Sequence, residues 1–281
     1  MQHWRIEDID WGSFDVAKVA PEVVPLVKAA ALVERNGREY AHYLCRVFIA
    51  DDALCDVVRQ WAEEEVQHGN ALGKWAQCVD PGWDFHGARD RFNSGYQPPH
   101  NTDSSIRGSR TGELIARCMV ETGTSSYYTA LADACREPVL KQLCRRIAAD
   151  EFRHYKLFYA HMCRYQAQEH IGTARRALIA AGRIGEGEDD ELAFAYHCAN
   201  EPMSMSYDRA RCSAQYLAGA MLYYRFGHIQ RGMGMTLKAL GLPTQGRLPA
   251  VAARLAWWWL DWRRNRLART PGVRLPATVS A

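Results

Sequence analysis

Apolar positions recur at three- and four-residue spacing along four long stretches of the chain, as they do on the buried faces of amphipathic helices. The stretches run from about Pro25 to Ala50, Asp52 to Cys78, Gly112 to Arg136 and Pro138 to Gln168. Between the second and third lies DPGWDFHGARDRFNSGYQPPHNTDSSIRGS, whose glycines, prolines, asparagines and serines predict a long crossing loop. Short links within each helix pair and a long one between the pairs predict an all-α four-helix bundle with a crossover. GRIGEGEDD at 182–190 predicts a second loop, with further helices at about 191–200, 206–240 and 250–269. The expected organisation is a bundle domain over 1–170, with a short N-terminal lead-in. A helical extension over 171–281 is expected to pack on it and to end in a basic helix rich in Trp and Arg.

The two helix pairs repeat one another. ERNGREY begins at Glu34 and ETGTSSY at Glu121, each with a tyrosine six residues after the glutamate. Glu65 follows Glu34 by thirty-one residues and Glu151 follows Glu121 by thirty; three residues beyond each stands a histidine, His68 and His154. Positions i and i+3 share a helix face, so each Glu-x-x-His offers an oxygen and a nitrogen to one point. With Glu34 and Glu121 the set is four carboxylates and two imidazoles, as in carboxylate-bridged di-iron and di-manganese bundles. Hard carboxylates suit bridging and ferric ions, and neutral imidazoles keep the site from accumulating negative charge.

Helical position supports the grouping. All four acids fall inside apolar stripes; the one around Glu65 holds Val58, Trp61 and Leu72. A lone carboxylate buried there would cost on the order of several kcal/mol. Glu63 and Glu64 fall off the stripe and read as a solvated edge. Glu39 with His42 repeats the spacing, but it sits roughly 140° round the helix from Glu34 and has Ser126 as its counterpart, so it reads as surface. The alternative is a metal-free bundle that keeps buried acid–histidine hydrogen bonds.

Composition narrows the class. The chain has 281 residues, 48% hydrophobic and 24% charged, enough to bury a sizeable core. Nine cysteines occur without a single CxxC, which reads as reduced thiols and excludes rubredoxin-type and CxxC zinc modules. MQHWRIEDID has no basic start followed by an apolar run, and no apolar run of about 18 residues occurs, so a cytoplasmic location is expected. Of the net charge of +3, residues 251–281 contribute +5 through six arginines and one aspartate. The remainder is therefore −2. Basic character is a local feature, which argues for a docking patch and against a nucleic-acid binder.

Two stretches resemble the soluble acyl-carrier-protein desaturases of the ferritin-like di-iron superfamily. WAEEEVQHGNALGKW (61–75) is similar to that family's Trp–Glu-Glu–His-Gly segment, and IAADEFRHYKLFYAHM (147–162) to its IAADE-x-RH segment; VETGTSSYY (120–128) is similar more loosely. The resemblance covers about residues 26–168 and implies a ferritin-like bundle with Glu34, Glu65, His68, Glu121, Glu151 and His154 as ligands of two iron ions, manganese being the other metal the set suits. It places Trp61 and Asp150 where the family has residues of electron entry. Thr124 falls at the family's active-site threonine, with small Gly37 as its counterpart in the first half. The stretch past residue 170 departs from the pattern.

The implied activity is dioxygen-dependent oxidation, most directly desaturation of an acyl chain on acyl carrier protein, with electrons from an external ferredoxin-type donor. The alternatives are a hydroxylase or N-oxygenase acting on a non-acyl substrate, and a ferritin-like iron-binding protein. Phe48, Trp75, Tyr127, Tyr128 and Phe158 read first as ordinary core and, as the alternative, as linings of an acyl channel. LAWWWLDWRRNRLART (255–270) puts tryptophans beside arginines. It reads as a packed helix, a dock for acidic partners or a peripheral membrane contact. A homodimer is expected by resemblance.

Overall fold

A computed structural model describes residues 3–96, 102–186, 190–267 and 269, and all regular structure among them is helical. Residues 6–23 hold four short 3-10 turns. Then come α1 (Val24–Arg35), α2 (Gly37–Val47) and α3 (Asp52–Val79). The sequence pattern predicted one helix over 25–50; the structure breaks it at Asn36, whose φ of −83° and ψ of 5° interrupt the helical hydrogen bonds. The break falls at Asn-Gly, a pair of weak helix formers. Gly37 is needed because a Cβ there would lie 2.6 Å from the Cβ of Glu65. Asp51 starts α3 by accepting from the amide of Leu54.

The segment 80–109 is not all loop. Asp84 caps a helix, α4 (Phe85–Gly95), which buries Phe85, Ala88 and Phe92 on one face. Three apolar residues at helical spacing outweighed the glycines. Residues 97–101 of that segment lie outside the described residues. α5 (Arg110–Ala134) and α6 (Pro138–Glu169) follow, close to the predicted bounds. Glu137 caps α6 with both oxygens and also accepts from the indole of Trp75 on α3.

The core falls into two apolar clusters, and their order along each helix gives the helix directions. Along α1 and its continuation α2, and along α6, the cluster around Leu26, Trp75 and Leu140 comes first and that around Leu44, Trp61 and Phe158 second; on α3 and α5 the order is reversed. α1 is therefore antiparallel to α3, and α5 to α6, while α3 and α5 run the same way. The connection between them must travel the length of the bundle. On all four helices the residues between the two clusters are the predicted ligands. Phe48, Trp75, Tyr127, Tyr128 and Phe158 are all buried within these clusters.

α7 (Thr173–Glu186) and α10 (Phe226–Ala239) pack on α5, whereas α8 (Asp190–Asn200) and α9 (Arg209–Met221) pack on α1. The helix predicted over 206–240 is thus two, α9 and α10. α7 runs into the predicted loop at 182–190, of which 187–189 lie outside the described residues. α11 (Arg247–Leu267) rests on α9 and α10 through buried Ala253 and Leu260. It leaves Leu255, Trp258, Trp259 and Trp262 exposed, with Arg263 over the ring of Trp259 and Arg266 over that of Trp262. Position 268 and those after 269 lie outside the described residues. No helix among the described residues is long and apolar enough to cross a membrane.

Candidate metal centre

The six predicted ligands meet in one buried layer. Glu34, Glu65, Glu121 and Glu151 are all less than a tenth exposed, and His68 and His154 are 0% and 1% exposed. They form two overlapping groups: Glu34, Glu65, His68 and Glu151, and Glu65, Glu121, Glu151 and His154. Within each group one donor atom per residue lies within 4.8 Å of the others. Glu65 and Glu151 belong to both. Each group thus has one histidine, one glutamate of its own and two shared glutamates, the composition of a carboxylate-bridged pair of metal positions.

Both histidines turn Nδ1 inward. His68 Nδ1 lies 3.2 Å from Glu151 Oε1 and 3.7 Å from Glu34 Oε2, and His154 Nδ1 lies 3.0 Å from Glu65 Oε1 and 3.7 Å from Glu121 Oε2. Donors around one ion at about 2 Å stand roughly 3 Å apart. Their outer nitrogens meet carboxylates: His68 Nε2 is 3.1 Å from Asp150 Oδ2, and His154 Nε2 is 2.7 Å from Glu64 Oε2. An ionised carboxylate only accepts, so Nε2 carries a proton; against burial, the surrounding acids hold both imidazoles well above their ordinary pKa and keep a proton on Nδ1 as well, which a metal ion would displace to take that lone pair.

The inner atoms have no other use. Glu65 Oε1, both oxygens of Glu121, Glu151 Oε1 and Nδ1 of both histidines are buried without a hydrogen-bond partner. Each such atom costs about 1–3 kcal/mol. Burial, then the neighbouring Glu151 and Glu65, holds the Glu34 carboxyl well above the ordinary range. Burial and Glu65 push Glu151 up to about 8. On Glu65 burial is overcome by His154 and His68, which hold it well below the usual range. Four acids this close cannot all ionise without cations among them. The donor set fits a pair of divalent or trivalent metal ions.

Sequence reasoning missed the surroundings of the six. Glu64 is not a solvated edge: it holds His154, and Arg153 clasps Glu64 and Asp150 together at 2.8 and 2.7 Å. Glu63 is at the surface, paired with Arg38. The signal was present, since an acid immediately precedes Glu65 and Glu151 alike. Thr124 meets the centre through its hydroxyl, 2.6 Å from Glu151 Oε2. Gly37 does not open space at that level; Glu65 fills it. Tyr128 donates to Glu34 Oε1 at 2.6 Å.

Trp61 and Asp150 do not pair. Trp61 stands edge-on to His154, with its indole nitrogen unbonded and the guanidinium of Arg117 over its ring. The tryptophan that donates to Asp150, at 2.6 Å, is Trp4, which stacks on His68. The two are 146 residues apart in sequence, and nothing in the sequence linked them. Burial alone would raise Asp150; hydrogen bonds from His68, Arg153 and Trp4 hold it well below the usual carboxylate range. A third group, His197, Glu201 and Cys212, also has donor spacing. There Arg211 occupies both oxygens of Glu201 and Arg91 faces His197, so it is an ion-pair network.

Comparison with protein-family models gives no match to this chain, and comparison with curated proteins gives none either.

Proposed function

We propose that the protein is a dinuclear non-haem iron enzyme of ferritin-like architecture that uses dioxygen to oxidise an organic substrate. The observation that carries this reading is the pair of overlapping donor groups sharing Glu65 and Glu151. The parallel course of α3 and α5, which calls for a long crossover, supports the architecture. Two bound irons would supply the reduction of dioxygen coupled to attack on an unreactive bond.

The chain's own residues do the rest. Glu34 and His68 would hold one metal ion and Glu121 and His154 the other, with Glu65 and Glu151 available to both. Asp150 and Glu64 fix the imidazole tautomers. Thr124 holds one oxygen of Glu151 and with it the orientation of that bridge. The apolar clusters on either side exclude water. Trp4, Asp150 and His68 form a hydrogen-bonded line to the centre. We assign electron entry to it, in place of Trp61.

The resemblance to acyl-carrier-protein desaturases makes a carrier-bound acyl chain, with a ferredoxin-type donor, the first substrate to test. A second reading, oxygenation of a non-acyl substrate, is favoured by a cavity one layer of side chains from the centre whose wall carries Arg117, Arg183 and Glu191. Anaerobic loading with ferrous ion, followed by dioxygen, tests the core of the proposal. The expected result is about two irons per chain and dioxygen uptake that needs both. Only trace iron with ample ferrous ion supplied would overturn it. Product mass then separates the readings: loss of two hydrogens marks desaturation, gain of one oxygen marks oxygenation.

A further inference from the structure

A cavity of about 410 Å³ lies between α2, α5, α7 and α8, a size suited to a small organic molecule. Its most unusual wall is Arg117, 7% exposed. The guanidinium sits 5.2 Å from the ring centres of both Tyr40 and Trp61, and it makes no hydrogen bond or ion pair with any described residue. The acid facing it is Glu191, whose carboxylate interacts with both Arg183 and Arg117; one acid for two guanidiniums leaves a buried positive charge in excess, which is costly. Stacking on two rings orients its planar fork while leaving the N–H edge free. Arg183 of α7 also lines the cavity, half-buried, and its charge is felt by Glu191 and Glu186.

The other charges on the wall are accounted for. Arg107 is bound through two nitrogens to Glu186. Glu113 accepts from the hydroxyls of Tyr43 and Ser105, both at 2.7 Å. What remains is two cationic forks and one carboxyl oxygen, Glu191 Oε1, buried and unbonded. Leu44, Ile106, Ala116 and Leu192 supply apolar wall between them.

None of the six predicted ligands lines the cavity; Arg117 and the Trp61 ring form the layer of side chains between it and them. Arg117 is one helical turn, about 6 Å, from Glu121 on the same face of α5. The Trp61 ring beneath Arg117 meets His154 edge-on at 6.4 Å. We propose that this cavity takes the organic substrate of the centre and that the substrate is a small carboxylic acid, its carboxylate held by Arg117 and Arg183 and a hydroxyl or amino group facing Glu191. The assignment rests on the metal-centre reading above. An acyl chain carried as a thioester has no free carboxylate and would leave Arg117 unpaired.

Calorimetric titration of the full chain, metal-free and iron-loaded, with benzoate, hexanoate and their neutral amides tests this. An acid should bind saturably and its amide ~10-fold more weakly or worse, the effect of losing one charge-assisted contact. Arg183→Met should weaken the acid ~10-fold, and Arg117→Met ~100-fold, with little change for the amide. Equal affinity for acid and amide, or an unchanged affinity in Arg183→Met, would overturn the proposal. Arg183 is half-buried on α7, so that variant decides the matter if Arg117→Met does not fold. Iron measured on the same samples keeps the two readings apart. Two irons with no saturable acid binding overturns the carboxylate site alone; acid binding without iron overturns the metal centre and, with it, the substrate role.

Discussion

The two halves of the bundle present the same donors on different supports. α1, α2 and α3 carry Glu34, Glu65 and His68; α5 and α6 carry Glu121, Glu151 and His154. Each half also reaches across, since Glu64 holds the histidine of the second half and Asp150 that of the first. Where the second half has Thr124 bonded to Glu151, the first has Gly37 pressed on Glu65. Where α5 is continuous, the first helix breaks at Asn36. Asp150 has Trp4 behind it, while Glu64 has only the shared Arg153 and the nearby His3. Donors are duplicated and their surroundings are not, so any difference between the two halves of the site lies in the surroundings.

The largest effect should come from the shared ligands. Glu65→Ala or Glu151→Ala removes a donor from both groups and should take iron from about two per chain to none. Glu34→Ala and Glu121→Ala each touch one group and should leave about one. Iron analysis of the four purified variants checks this, and one residual iron in Glu151→Ala would break the assignment of that residue to both positions.

Next in size are the outer carboxylates. Asp150→Asn and Glu64→Gln keep shape but lose charge, and each should weaken iron binding about 10–100-fold. Asp150 serves His68, Arg153 and Trp4 together, so Asp150→Asn should be the more damaging. Equal losses in competitive chelator titrations would mean that Trp4 adds nothing to the hold on His68.

Much of this was legible in the sequence. The main helical stretches, and the six donors that the structure brings together, follow from apolar spacing and from the repeat of Glu with Glu-x-x-His, because those are local patterns along the helices. The supports were not legible. Trp4 and Asp150 are joined only by folding, and Glu64 fell on the wrong side of an idealised stripe because long side chains reach sideways to a facing helix. α4 was hidden by its glycines, although Phe85, Ala88 and Phe92 gave the spacing. The Asn36 break was hidden by the unbroken apolar stripe on either side of it. The resemblance pointed to Trp61 and Asp150 for electron entry, and the tryptophan bonded to Asp150 is Trp4.

Thr124 and Gly37 sharpen the contrast between halves. Thr124→Val should keep both irons and alter dioxygen uptake, because only the hydroxyl on Glu151 is lost. Gly37→Ala should act on stability instead, forcing a methyl group against Glu65 and costing about 1–3 kcal/mol, a few degrees of melting temperature. Thermal denaturation and oxygen-electrode rates on both variants check this; matching behaviour would make the two positions equivalent.

The smallest effect concerns a place where the halves meet far from the metals. Asp51 caps α3 and accepts from Tyr165 of α6 at 2.7 Å and from Arg164. Burial opposes its ionisation, but Tyr165, Arg164 and the Leu54 amide outweigh it and lower its pKa. A carboxylate depressed in the folded state adds stability that is complete above its unfolded value of about 3.9. That stability is lost as pH falls through the folded value. Arg164 is nearly half exposed, so solvent limits the charge contribution to about 1 kcal/mol or less. Asp51→Asn in the metal-free protein should therefore be slightly less stable than the parent above about pH 5, with the difference vanishing in stronger acid. Urea denaturation across that range reads it directly. A difference that stays constant with pH would assign the clasp to hydrogen bonding alone and leave the metal layer as the place where charge holds the two halves together.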